Sequence, residues 1–265
     1  VDNATTWPGA FTGNVAVTVK GTVKGAVVGG ATSTHRCTPM LTGNTLVRVL
    51  AVQGTNEGAV SGVGNRFVGG SAYMGNSASG ALQTGNTSVE ISLPENASGK
   101  FVKEIVGGSY AVNGSYAITG NTSVSISAPN DVDFNSFIYG ASVSNSSTAT
   151  VSGNSSVTLD GGTYSGHVFA GGHGANGGVA GKATLTLKGG VFTGTLGVSK
   201  EGAPVGSSEL IIDGGEAGID LSAATVNGDF GALTFKGGTL NLGTKRLPSM
   251  AWALERTSTL TITVT

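Results

Sequence analysis

The segment SGNSSVTLD, residues 152–160, carries the pattern that decides the fold. Similar segments are TGNVAVTV from Thr12, TGNTLVRV from Thr42, TGNTSVEIS from Thr84 and TGNTSVSIS from Thr119. The asparagines of these copies are 30, 42, 35 and 33 residues apart, so the repeat is constant in content and variable in length. A phrase that recurs at such intervals is typical of repeat architectures, in which loops of unequal size absorb the variation.

Within each copy the apolar residues lie two positions apart, as Val89 and Ile91 do on either side of Glu90. The same spacing recurs at Val47/Val49, Val124/Ile126, Val157/Leu159, Leu185/Leu187 and Leu210/Ile212. This alternation indicates half-buried β-strands, and no stretch of the chain has helical periodicity.

A second phrase alternates with the first and consists of an apolar pair followed closely by glycine. Its copies are Val27-Val28, Phe67-Val68, Ile105-Val106, Ile138-Tyr139 and Phe169-Ala170. The chain therefore reads as a strand, a glycine-rich turn, a second strand and another turn, repeated along its length.

Equivalent strands carry the same residue at the same place, which stacking of successive coils requires and a hairpin sandwich does not. We therefore predict an all-β fold, a right-handed parallel β-helix or solenoid of about six to eight coils with loop insertions. In that arrangement Val47, Val89, Val124 and Val157 form one interior column.

The repeated asparagine is expected to form a ladder at a tight bend between strands. Asparagine tolerates the left-handed conformation and can hydrogen-bond the same side chain one coil above. The residues concerned are Asn44, Asn86, Asn121 and Asn154. The preceding Gly43, Gly85, Gly120 and Gly153 are expected at positions where a Cβ would clash.

The repeat pattern also sets the expected domain boundaries. Residues 1–245 are assigned to the solenoid, with residues 1–10 as a candidate N-terminal cap and residues 246–265 as a C-terminal cap or the start of the next domain. Caps are expected because a terminal coil would otherwise expose an unpaired strand edge. Residues 32–40, which include Cys37, and residues 52–65 are predicted insertions.

Charge and composition exclude several classes of partner. The net charge is −1 and charged residues make up 11% of the chain, so no electrostatic footprint for nucleic acid is present. No run of about 18 apolar residues occurs, so we expect no direct insertion into a membrane. Cys37 is the only cysteine and therefore cannot form an intrachain disulfide.

The stretch GNSSVTLDGGTYSGHVFAGG, residues 153–172, together with the TGNTSV and IVGGSY phrases, resembles the β-helical passenger regions of autotransporter-type surface proteins from host-associated Gram-negative bacteria. The resemblance covers roughly residues 10–245. It implies an extracellular location on the bacterial outer surface and an adhesin-like role. Such coils also occur in enzyme scaffolds, so the resemblance is more specific for architecture than for function.

Two motifs suggest cofactor or metal binding, and their contexts argue against both. GHGANG at residues 172–177 has the spacing of a dinucleotide-binding loop, but a strand follows it where a helix is required. His167 and His173 could share one face, yet two imidazoles do not make a metal site, and Asp160 is only the nearest candidate for a third ligand. We therefore predict no cofactor and no metal.

Paired carboxylates are the stronger sign of an enzyme, because glycosidases and polysaccharide lyases need acids in a groove. Asp131 and Asp133 are weak catalytic candidates, within APNDVDFN, which is typical of a solvated turn. For ligand binding, Tyr73, Tyr110 and Tyr164 are weak candidates that would form a glycan platform if their rings faced outward.

The leading hypothesis is a non-catalytic extracellular surface domain for adhesion or display. Its expected partner is a host surface protein or a mucin-like glycan, with no nucleic acid. One alternative is a carbohydrate-active enzyme, a lyase or glycoside hydrolase whose acids converge from separate coils. A second alternative is a structural stalk, and the sequence leaves the oligomeric state open.

Overall fold

The computed structural model describes residues 10–33, 40–53, 66–73, 80–112, 114–145, 148–215, 218–227, 229–255 and 259–264. Over these ranges the ordered elements are β-strands, and no helix occurs among them. The described residues accordingly include no helix of the length and apolarity needed to cross a bilayer. Cys37, the candidate N-terminal cap before Ala10 and most of both predicted insertions lie outside the described residues.

The strands in the first half of the chain are short, and they are β1 (Ala10–Thr12), β2 (Val15–Val19), β3 (Val27–Val28), β4 (Thr32–Ser33), β5 (Met40–Thr42), β6 (Thr45–Val49), β7 (Arg66–Val68), β8 (Ala72–Tyr73), β9 (Ala81–Thr84), β10 (Thr87–Ser92), β11 (Gly99–Phe101), β12 (Glu104–Val106), β13 (Tyr110–Ala111) and β14 (Ser115–Ile118). Longer strands appear in the second half, which contains β15 (Thr122–Phe134), β16 (Phe137–Tyr139), β17 (Val143–Ser144), β18 (Thr148–Val151), β19 (Ser155–Tyr164), β20 (His167–Phe169), β21 (Val179–Leu187), β22 (Gly190–Phe192), β23 (Thr195–Gly197), β24 (Val205–Asp213), β25 (Ile219–Asp220), β26 (Thr225–Val226), β27 (Ala232–Gly243), β28 (Ala251–Leu254) and β29 (Leu260–Val264). The first phrase of the sequence falls on strands such as β6, β10, β15 and β19, and the second phrase falls on β7, β12, β16 and β20.

These strands form three sheets in which every pairing between the described strands is parallel. The long sheet has 18 strands. The seven-stranded sheet runs β3-β7-β12-β16-β20-β23-β26, and the four-stranded sheet runs β4-β8-β13-β17. Neighbours in both smaller sheets thus follow the chain order, one strand for each repeat.

The strands of the first phrase pair in register, and this confirms the predicted aliphatic column. Val47 is the partner of Val89, Val89 of Val124 and Val124 of Val157. All four side chains are buried. The column continues in both directions through Val17, Leu185, Leu210 and Leu233. Since each valine packs between like neighbours, the core grows by equal increments of about 1.5–3 kcal/mol per buried aliphatic side chain.

A second buried column consists of aromatic rings. Phe101 lies against Phe134, Phe134 stacks on Tyr164, and Tyr164 stacks on Phe192, with ring centroids 5.1, 5.1 and 4.8 Å apart. Phe67 extends the column at 5.8 Å from Phe101. Stacked rings at these distances stabilise each other beyond the area they bury.

The four asparagines lie above one another at the turn that precedes the long strands. Each side-chain Oδ1 accepts a hydrogen bond from the backbone N–H of the next asparagine, at 2.8 Å for the pairs Asn44–Asn86, Asn86–Asn121 and Asn121–Asn154. The expected hydrogen bond between two asparagine side chains is therefore wrong, because the donor is a main-chain amide and only the acceptor is a side chain. The asparagines also avoid the left-handed region, where Glu201 is the only described residue other than glycine.

Two of the four glycines before these asparagines take the positive φ instead. Gly43 and Gly85 have φ of 136° and 131°. A Cβ at either position would come within 3.0 Å of the carbonyl of the equivalent glycine in the preceding repeat, as predicted. The turn is thus built by glycine, which has no Cβ, and fastened by asparagine.

Residues 246–265, expected to be a cap or the start of another domain, include two strands that continue the long sheet. β28 and β29 both pair in parallel with β27. Trp252 and Leu254 occupy the column positions next to Leu233 and Phe235 and are exposed. This end of the described stack therefore presents apolar side chains to solvent.

Candidate functional site

In the three-residue strands β7, β12, β16 and β20 of the seven-stranded sheet, the middle residue points into the main core, because successive side chains of a strand alternate between its two faces. The residue after it is buried in a second apolar cluster, which contains Val68, Val106, Tyr139 and Phe169. The middle residues Phe67, Ile105, Ile138 and Val168 are buried in the main core. The residue before each of them is partly exposed, and these residues are Arg66, Glu104, Phe137 and His167. The strand register sets Glu104 beside Arg66 and Phe137 beside His167, so four neighbouring strands present four different side chains.

These four side chains line an open groove of about 530 Å³, which we call the outer groove. The other wall is the bend between the long sheet and the seven-stranded sheet, where Asn135 and Ser136 precede β16 and Ser165 and Gly166 precede β20. Val102 completes the lining. A volume in the range of about 300–1,000 Å³ is typical of small-molecule sites.

One end of the outer groove is formed by an ion pair. Arg66 Nε donates to Glu104 Oε2, and the two side chains are 20% and 19% exposed. The guanidinium carbon of Arg66 lies 4.0 Å from the centroid of the Tyr110 ring. Tyr139, the last residue of β16 in the same sheet, has a raised pKa. The main cause is its burial, and the second is the negative charge of Glu104.

The other end of the outer groove is aromatic. The rings of Phe137 and His167 lie 4.9 Å apart with an angle of 31° between their planes. Lys200 Nζ lies 4.3 Å from the centroid of the Phe137 ring and 3.8 Å from Glu201 Oε1. The cation is therefore held by a ring and by a carboxylate at once.

The two histidines weighed as metal ligands have separate partners. His167 stacks on Phe137 in the outer groove, whereas His173 Nε2 lies 3.0 Å from Glu201 Oε2. This close contact with His173 is the largest reason why the pKa of the Glu201 carboxyl lies below its usual value. In the described part of the chain no group of three His, Cys, Asp or Glu side chains is arranged to hold a metal ion.

The acidic candidates do not lie in a turn, so that interpretation is wrong. Strand β15 continues to Phe134, with its register to β19 shifting between Ala128 and Asp133. Asp133 Oδ1 accepts a 2.6 Å hydrogen bond from Ser165 Oγ, while Asp131 is exposed. The structure thus places Asp133 next to a groove residue and pairs it with a hydroxyl, not with a second carboxylate.

The tyrosine platform is wrong for the two residues whose side chains the structure describes. Tyr164 is 1% exposed because it belongs to the aromatic column in the core. Tyr110 is 4% exposed, lies under Arg66 and accepts a 3.0 Å hydrogen bond from Asn145 Nδ2. The side chain of Tyr73 lies outside the described part.

Arg66, Glu104 and Phe137 are not among the candidate residues predicted from the sequence, and His167 is considered there only as a metal ligand. A signal for them was present, because each directly precedes a pair of apolar residues that aligns with Phe67-Val68. Aligning the second phrase would have shown one position that differs in every copy. The fifth pair was also placed one residue too late, since Val168-Phe169 is the true partner of Ile138-Tyr139.

The outer groove combines hydrogen-bond donors, acceptors and ring surface, a set of groups suited to binding a polar organic ligand. Comparison with known proteins found no matching family model, no similar curated protein and no similar solved structure. The chemistry of the groove is therefore interpreted from its own residues.

Proposed function

We propose that the chain is a right-handed parallel β-helix of the autotransporter passenger type, displayed on the outer surface of a host-associated Gram-negative bacterium. Parallel strands in consecutive order support the solenoid, and seven strands in one sheet agree with the expected number of coils. Right-handedness follows from the strong preference of parallel crossover connections. The domain serves adhesion, as a non-catalytic module that binds a host glycan or surface protein through the outer groove.

The observation that carries this proposal is the contrast between the two sides of one sheet. The inward positions repeat as large apolar residues, whereas the outward positions Arg66, Glu104, Phe137 and His167 differ in charge and shape. Stacking accounts for the inward repetition, and it leaves the residue before each middle position free to vary. A varied set of charged and aromatic side chains in one groove is suited to binding another molecule.

The state of the carboxylates supports binding over hydrolysis. Glycosidases use two carboxyl groups about 5–10 Å apart on either side of the scissile bond. In the outer groove Glu104 is engaged by Arg66, and the neighbouring Asp133 by Ser165. Both acids therefore already have hydrogen-bond partners, and Glu104 is the only carboxylate among the residues described as lining the groove.

The test is a binding assay run beside a degradation assay. The labelled chain is applied to an array of host glycans, mucins and epithelial surface proteins, and the same polysaccharides are screened for cleavage products. We expect retention without cleavage, and at least a tenfold loss, about 1.4 kcal/mol, for the double variant Phe137→Ala/His167→Ala.

The matched control is Ser125→Ala, since Ser125 is an exposed residue on the outward face of the long sheet. It should bind like the unmodified chain. Cleavage that disappears in Asp131→Asn/Asp133→Asn would identify the enzyme instead. Failure to bind any of these surfaces would leave the stalk as the better account.

A further inference from the structure

Building on the proposed adhesive function, we infer that the outer groove selects neutral saccharides and discriminates against acidic ones. The inference names the ligand class of the same site. It depends on how the charges around the groove are already paired, on its polar groups and on its size.

Two cations near the groove have a carboxylate partner. Arg66 is bonded to Glu104, and Lys200 lies 3.8 Å from Glu201 while it covers the Phe137 ring. Asp133, which accepts a hydrogen bond from Ser165, has Lys100 as its neighbour in the strand register. A carboxylate or sulfate on the ligand would thus meet cations that already lie beside acids, which makes its desolvation costly.

The polar groups of the groove match hydroxyls better than they match an anion. The lining offers the carboxylate of Glu104 as an acceptor, the amide of Asn135 as donor and acceptor, and the hydroxyl of Ser165. A sugar hydroxyl both donates and accepts, so it can satisfy such a mixed set. The rings of Phe137 and His167 provide apolar surface for the C–H groups of the sugar.

The size of the groove fits a short saccharide. The groove is open to solvent, and its volume of about 530 Å³ is that of a site for one or two sugar rings between the ion pair and the aromatic end. The expected ligand is therefore a neutral saccharide that places one or two rings in the groove.

The experiment uses glycans that share one neutral backbone and compares the neutral form with its sialylated and its sulfated derivative. The Kd of each form is measured for the unmodified chain. We expect the neutral form to bind at least about tenfold tighter than either acidic form. Glu104→Gln keeps the size of the side chain and removes the carboxylate partner of Arg66. It should shift the preference toward the sialylated form by about tenfold.

A second variant guards against a purely structural effect. Arg66→Gln leaves Glu104 without its cation and should weaken binding of the acidic forms by a larger factor than binding of the neutral form. Circular dichroism and thermal melting establish that each variant is folded. Opposite shifts of the charge preference in Glu104→Gln and Arg66→Gln support the inference, because general loss of structure would weaken all ligands alike.

The inference is overturned if the unmodified chain prefers the acidic forms, or if Glu104→Gln weakens all forms equally. It also fails, with the adhesive function intact, if the groove binds a host protein and no saccharide. An absence of binding to every host surface would instead reject the adhesive function itself.

Discussion

The two faces of the seven-stranded sheet differ in what determines their residues. Inward, Phe67, Ile105 and Ile138 repeat one chemical type, because each fills the same space between like neighbours. Outward, Arg66 and Glu104 on neighbouring strands differ in charge and form a pair across the strands. Repetition thus identifies positions that stability controls, and departure from repetition identifies positions where binding can be selected.

The largest effect is expected where repetition is strictest. Ile126→Ala truncates a fully buried member of the core and should lower the free energy of unfolding by about 2–5 kcal/mol. Its neighbour Ser125 points outward and is exposed, so Ser125→Ala should change it by no more than about 0.5 kcal/mol. Urea denaturation of both variants measures the difference, and equal losses would contradict the assignment of the two faces.

The next effect concerns the turn, which also repeats. Gly85→Ala places a Cβ against the carbonyl of Gly43 at a φ of 131°, and should cost about 1–3 kcal/mol. Gly21→Ala is the control, because a Cβ there meets nothing within 4 Å. Thermal melting separates the two variants. If Gly85→Ala is as stable as Gly21→Ala, the turn can accommodate a Cβ at position 85 without a steric clash.

A smaller loss is expected from the asparagine ladder. Asn121→Ala removes the acceptor of the 2.8 Å hydrogen bond from the Asn154 N–H and should cost about 0.5–1.5 kcal/mol. Asn121→Asp keeps an acceptor and should retain most of the stability. If hydrogen exchange at Asn154 is no faster in Asn121→Ala, the ladder does not protect that amide.

Among the described residues Lys103 is the only charged side chain that is buried, and its burial predicts a pH dependence of stability. Lys103 is buried, its Nζ donates to the Gly25 carbonyl at 2.7 Å, and burial lowers its pKa. Between that lowered pKa and the ordinary value of 10.5 the unfolded chain binds more protons, so the free energy of unfolding rises with pH.

Lys103→Met should remove this slope, so the difference in free energy of unfolding between the two proteins should change with pH across the alkaline range, as measured by urea denaturation. Parallel pH profiles would mean that Lys103 does not titrate differently in the folded and unfolded chains. The comparison between variants cancels the titration of all other groups.

The smallest effect on stability is expected at the outward positions, where the effect on binding is largest. His167→Ala should change the free energy of unfolding by about 0.5 kcal/mol or less, because the residue is partly exposed and outside the core. Its binding to the retained glycan or protein should fall markedly. Substantial destabilisation would instead mean that the Phe137–His167 stack is a structural element.

Much of the strand pattern could be predicted from the sequence, and some of the site could not. Alternation at Val124 and Ile126 predicted burial correctly, because a long strand maintains its parity. Burial could not be predicted in the same way for the short strands around Tyr110. A turn separates each of them from the next strand, and the sequence does not show which side chains face inward after the turn. APNDVDFN was mistaken for a turn because the burial of Val132 and Phe134 outweighs the local preference of Pro, Asn and Asp.

The sequence by itself determined the all-β character, the strand phases of the first phrase and the column that runs through Val47, Val89 and Val124. Equivalent apolar residues in successive repeats bury one another when the repeats stack. The pattern that predicts this is visible within each repeat and recurs along the chain. The tertiary structure alone decided that Arg66 meets Glu104 and that Asp133 meets Ser165, residues that are 38 and 32 positions apart. Such meetings depend on the register between repeats of unequal length, which hydrogen bonding and packing across the strands fix only once the chain has folded.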